Sequence, residues 1–221
     1  MSEKPDTDEP NSRQAGWDAG RLDALVDGTI AIVLTLIVFD LKVPMVPEGE
    51  AALPRAVLRM WPTFCCYLMA FLSAGMLWVG HRSQFHFIRR TTRHQLWMNL
   101  LFLLWVSLMP FSTALITAHP GHWLPAMLYG VDVSLAGIIL QWNWRYACKR
   151  PHLFGIVPKD SVRKGLVRRL AIGQMAYAVG IVLAPVSGWL SIGIYLLVPT
   201  LYLLPSALDQ RWHVEPDRTD K

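Results

Sequence analysis

An all-α, polytopic membrane protein with six transmembrane helices is the fold class this sequence predicts, and three observations predict it. The chain of 221 residues is 53% hydrophobic and only 17% charged, where a soluble domain carries about 25% charged residues. Two uncharged stretches, Trp61 to Gly80 and Gln95 to Ala118, are each long enough for a helix to cross a hydrocarbon layer of roughly 30 Å. A third, Leu170 to Leu208, runs for 39 residues, about twice what one crossing needs at about 1.5 Å of rise per residue. Pro185, Ser187 and Gly188 interrupt it near its middle and predict two helices joined by a tight turn.

In chain order, residues 1–20 lack an apolar core and are rich in Asp, Glu, Pro and Ser, which predicts a disordered tail and no signal peptide. Arg21 to Asp40 forms the first membrane-length helix, although it holds Asp23, Asp27 and Asp40. Carboxylates are costly against lipid, so this helix should face protein or water. Asp23 sits in the first turn, where the helix dipole favours it. Asp27 lies deeper and needs a partner, for which Arg21, Trp78, His81 and Asn99 are the candidates. His81 can equally be an interfacial ring, and Asn99 ordinary interhelical glue. Gly28, Ile32, Thr35, Leu36 and Phe39 recur at helical spacing and share one face. That face is either a packing stripe against a neighbouring helix or the wall of a pore.

Trp61 to Gly80 is the second span, with Cys65 and Cys66 as small apolar residues within it. Gln95 to Ala118 is the third, where Pro110 removes a backbone hydrogen bond and leaves a kink that Ser112 or Thr113 can relieve. Trp123 to Trp144 is the fourth, interrupted by Asp132, a functional candidate with no cation beside it. The fifth and sixth lie in Leu170 to Leu208. The predicted organisation is therefore a tail at 1–20, a six-helix membrane domain at 21–208 and a C-terminal tail at 209–221.

Of the 21 Lys and Arg, 18 fall on one side of these spans and 3 on the other, so both termini are expected in the cytoplasm. Eight basic residues lie between Arg145 and Arg169. They suit contact with anionic lipid at the membrane surface better than binding to nucleic acid. No phosphate-binding glycine loop, His-Glu-x-x-His zinc helix or Gly-x-Ser-x-Gly elbow is present, so no enzymatic step and no cofactor are expected. The three cysteines show neither metal-ligand spacing nor a disulfide framework, and His119 with His122 is at most a weak metal pair.

Four short motifs carry a family resemblance. Arg21-x-x-x-Leu25-Val26-Asp27-Gly28 leads into Ala31-Ile32 and Thr35-Leu36, followed by Trp78-x-x-His81, Asn99-Leu100 and Leu108-Met109-Pro110-Phe111-x-Thr113. In this order, over the first half of the chain, they resemble the lysosomal potassium channel family, also called the transmembrane protein 175 family, in its prokaryotic form. The resemblance implies a cation channel with one six-helix repeat per subunit, assembled as a homotetramer in the plasma membrane and passing potassium or other monovalent cations. It further implies a pore lined by the first helix of each subunit, with apolar rings at Ile32, Leu36 and Phe39 and hydroxyls from Thr35. The family's supporting polar cluster maps onto Arg21, Asp27, Trp78, His81 and Asn99. Leu25 and Val26 depart from the family's Phe-Ser, so one hydroxyl of that network is lost, and Phe39 is bulkier than the usual aliphatic residue. Two other readings remain: a proton-coupled transporter or proton conductor using Asp27, His81 and Asp132 as relay groups, and a membrane scaffold whose polar groups only pack helices.

Overall fold

The computed structural model describes residues 17–45 and 52–203. The predicted tail as far as residue 16, residues 204–208 of the sixth span and the tail at 209–221 lie outside them. The described residues form seven α-helices: α1 (Ala19–Leu36), α2 (Ala52–Arg59), α3 (Trp61–Phe85), α4 (Arg93–Ala118), α5 (Trp123–Cys148), α6 (Asp160–Leu183) and α7 (Gly188–Leu203). A 3-10 segment, Ile37–Asp40, extends α1. Two strands, β1 (Trp17–Asp18) and β2 (Arg90–Thr91), pair antiparallel.

Five helices are long and apolar enough to cross a membrane: α1 with its extension, α3, α4, α5 and α6. The sixth expected span is α7, with 16 uncharged residues. Two departures from the sequence expectation are larger than the shifts of a few residues at the other helix ends. α6 begins at Asp160, well before the uncharged run opens at Leu170, because a basic amphipathic turn continues the helix beyond the apolar boundary. α2 occupies a stretch expected to be loop, and its eight residues are too few and too charged to register as a span.

Local chemistry sets the helix ends. Asp18 caps α1 by accepting from the Gly20 N–H at 3.1 Å. Pro62 stands in the first turn of α3, where no backbone donor is needed. Thr92 and Gln95 form a reciprocal capping box on α4, and the His122 ring caps α5 by accepting from the Leu124 N–H at 3.2 Å. α4 runs helical through Pro110.

α5 occupies the middle of the bundle, packed on α4, α6 and α7, whereas α1 lies at its margin against α3 and α4. One end of the bundle gathers β1, β2 and the α3–α4 and α5–α6 connections, and Arg89 donates its N–H to the Leu153 carbonyl at 3.0 Å there. At the opposite end Gly121 turns the chain with φ of 81°. The Trp189 ring and the Gly188 backbone close over it, so conformation and space both demand glycine. Trp189 also stacks on Trp61, with ring centroids 5.5 Å apart.

Several polar groups inside the bundle are paired across helices. Ser73 donates to the Met69 carbonyl and accepts from the Tyr177 hydroxyl, each at 2.7 Å. Tyr177 stacks on Tyr195 at 5.1 Å, and Gly130 and Gly180 leave the room that the Tyr195 ring fills. Asp132, for which the sequence offers no partner, accepts from the Ser112 hydroxyl of α4 at 2.6 Å and is 3% exposed.

Candidate functional site

α1 has two unlike faces. Leu22, Val26, Ile30, Val33 and Ile37, spaced at three and four residues, are buried against the bundle. Gly28, Ile32, Thr35, Leu36 and Phe39 are all exposed on the other face, Ile32 at 60% and Phe39 at 75%. A Cβ at Gly28 would meet nothing within 4 Å. Among the described residues the stripe is therefore left largely uncovered. The Thr35 hydroxyl donates to the Ile32 carbonyl at 2.7 Å, which leaves its oxygen lone pairs on the exposed face. Val26, where the family motif has a hydroxyl, is fully buried, while Leu25 beside it is exposed. The lost hydroxyl thus falls within the apolar core, and the Leu25 departure on the exposed face.

The opening turns of α1 are held by polar side chains of α3. Asp27 accepts from the Trp78 indole N–H at 2.8 Å. Arg82, one turn after Trp78, donates to Asp23 and lies 3.9 Å from Asp27. His81 is fully buried between the rings of Phe85 and Phe102. Its Nε2 lies 3.0 Å from Asn99 Oδ1, and Asn99 Nδ2 donates to the Gln95 carbonyl at 2.7 Å. Since the amide nitrogen of Asn99 is committed to that carbonyl, its oxygen must accept, and His81 carries a proton on Nε2. The other ring nitrogen, Nδ1, then points at Asp23 Oδ1 from 3.7 Å, and neither atom has a hydrogen-bond partner among the described residues.

The sequence-predicted cluster is thus assembled in part. Asp27 meets Trp78, and His81 meets Asn99, but the two pairs are joined through Asp23 and Arg82. Arg21 is exposed and makes no ion pair among the described residues. Arg82 provides the cation that Arg21 was expected to provide. One signal could have found it: Trp78 and Arg82 stand four residues apart on α3, on the same face. The network also extends further than expected, from Gln95 Nε2 to Asn143 Oδ1 of α5 at 3.4 Å.

Among the described residues no three His, Cys, Asp or Glu side chains group as metal ligands. The arrangement is chemically a marginal helix tied down by its charges, with an apolar and hydroxyl-bearing face left open.

Comparison with known proteins gives this arrangement a family context. The family model for the endosomal/lysosomal potassium channel TMEM175 matches residues 21–110, from the start of α1 into α4. The chain is 30% identical over 189 residues to a potassium channel of a Chryseobacterium species, covering 84% of this chain and 93% of that protein. The crystal structure of a lysosomal potassium-selective channel TMEM175 homolog from Chamaesiphon minutus superposes with a TM-score of 0.73 at 28% identity, covering 84% of this chain and 96% of that one. The endosomal/lysosomal proton channel TMEM175 of Homo sapiens is 25% identical over 195 residues, which span only 37% of its length.

Proposed function

The chain belongs to the TMEM175 family of ion channels, and from that premise we propose that it is a potassium-permeable cation channel of the plasma membrane, with cytoplasmic termini and six transmembrane helices per subunit. In this reading the subunits assemble as a homotetramer around one pore lined by α1 of each copy. The observation that carries it is the open face of α1. A face turned to lipid would not combine Gly28 and Thr35 with an adjacent Asp27, whose side chain is 41% exposed. A face turned to a water-filled path can. Ile32, Leu36 and Phe39 would form apolar rings that penalise an ion for shedding water, and weakly hydrated potassium would be penalised less than sodium.

Bilayer recordings of the purified protein test this. Ile32→Asn and Leu36→Asn should each change the potassium-to-sodium permeability ratio by about tenfold, equivalent to ~1.4 kcal/mol of barrier. Unchanged ratios and conductance in both variants would remove α1 from the pore.

Proton conduction is a second reading, supported by Asp23 Oδ1 and His81 Nδ1, which face each other at 3.7 Å with no hydrogen-bond partner among the described residues. Two such acceptors repel until a proton lies between them, which is what a proton-binding station requires. The animal relatives of this chain bear the name proton channel. A reversal potential that follows the proton gradient, and moves back towards potassium in His81→Gln, would favour it. A reversal potential set by potassium alone would dismiss it.

A further inference from the structure

The basic stretch between α5 and α6 forms a feature that the α1 face does not use. A groove of about 1300 Å³ opens between the starts of α4 and α6 and the end of α5. Its outer part is lined by His94, Arg145, Lys149, Arg163, Lys164 and Arg168, and its deeper part by Trp97, Met98, Leu101, Ile139, Trp142 and Val167. Among the described residues no carboxylate lines it.

The polarity is graded along each helix in turn. On α4 His94 stands at the end, with Trp97 and Leu101 one and two turns deeper. On α5 Lys149 and Arg145 occupy successive turns, and Trp142 and Ile139 continue the same face inward. Lys164 and Arg168 stand one turn apart on α6 and face this array across the groove. Arg163 is committed to Asp160 at 3.0 Å, and the Arg150 guanidinium lies over the Tyr146 ring at 3.8 Å. Arg145, Lys149, Lys164 and Arg168 are exposed and make no ion pair among the described residues. Four exposed cations around one groove repel each other, and an anion entering the groove relieves that repulsion.

We infer that this groove binds a single anionic diacyl phospholipid, with its phosphate among Lys149, Lys164 and Arg168 and an acyl chain along Trp97, Leu101 and Trp142. Charge complementarity selects the anion, and the graded floor selects the lipid over a free one. A soluble phosphate would leave the apolar part empty, and a nucleic acid would have no use for tryptophans within a membrane span. Trp97 and Trp142, 63% and 64% exposed, lie near the start of α4 and the end of α5, positions that suit indole rings at the boundary between headgroup and acyl chain. The bound lipid would bridge α4, α5 and α6, and so hold the basic start of α6 against the bundle. The inference is independent of where ions pass.

The test uses the full chain reconstituted in nanodiscs of phosphatidylcholine, with phosphatidylglycerol added in steps. Phospholipid retained after extraction into mild detergent is counted by native mass spectrometry. The unaltered protein should retain phosphatidylglycerol over phosphatidylcholine, and Lys149→Ala/Lys164→Ala/Arg168→Ala should lower that retention by about tenfold or more. Removing the same charge at the opposite end, as Lys42→Ala/Arg55→Ala/Arg59→Ala, should leave it unchanged. If the triple variant in the groove does not fold, the unaltered protein still decides: raising the salt should release phosphatidylglycerol and not phosphatidylcholine. Equal retention of the two lipids would overturn the inference, and so would undiminished retention in a folded groove variant. Glycerol phosphate displacing the lipid at equal concentration would reduce the groove to an anion site, and a change of oligomeric state without a change in lipid would reassign it to a contact between copies.

Discussion

α5 and α1 are both membrane-length helices that carry carboxylates, yet 61% of the most apolar 18-residue stretch of α5 is buried inside the subunit against 28% of the corresponding stretch of α1 with its 3-10 extension. In α5, Asp132 is sealed in the bundle and tied to one hydroxyl, and glycines are where other helices press in: Tyr195 and Ile181 onto Gly130, Gln174 onto Gly137. In α1, Asp23 and Asp27 lie at one end and are held by an arginine and an indole, while Gly28 faces open space. The same residue types thus perform opposite tasks. A glycine permits close approach in one helix and leaves a surface bare in the other, and a carboxylate is a packed interior group in one and a mooring in the other.

Exchanging small groups between these roles is the sharpest way to break the comparison. Gly130→Ala would drive a methyl into the Tyr195 ring and Ile181, an overpacking that costs ~1–3 kcal/mol and should lower the melting temperature of the solubilised protein. Gly28→Ala should leave that melting temperature where it is and act on current alone. Equal destabilisation by both would mean that the α1 face is packed after all. Next in size, Ser112→Ala deprives buried Asp132 of its donor and should cost about 1–3 kcal/mol, read by denaturant titration in detergent. No loss there would mean that water reaches Asp132. The smallest effect belongs to Trp78→Phe, which leaves a smaller aromatic ring in place and removes the N–H donated to Asp27. Hydrogen bonds between membrane helices average roughly 0.6 kcal/mol, so stability should hardly move, whereas a loosened α1 should show as altered flux.

Five of the six expected spans were legible in the sequence because hydropathy and helix length measure the same thing, the thickness of the hydrocarbon layer. The stripe on α1 was legible because Gly28, Ile32, Thr35, Leu36 and Phe39 obey a helical period. The identity of the mooring cation was not. Whether Arg21 or Arg82 meets the carboxylates depends on how α1 and α3 are rotated about their axes, and no local pattern encodes that angle. Ser112 as the partner of Asp132 was hidden for the same reason. The two-residue strands are too short to display any period at all, and α2 is too short and too charged to stand out by hydropathy.

Those strands have a further use. β1 joins β2 through main-chain pairing of Trp17 with Thr91 and Asp18 with Arg90, and Ala19 adds a bond from its N–H to the Arg89 carbonyl at 3.2 Å. The start of α1 is therefore fastened by amides, which almost any residue could supply. Slow hydrogen–deuterium exchange at the Ala19 amide would report a seated helix, and fast exchange a released one, giving a label-free gauge of α1 docking that owes nothing to the side chains under mutation.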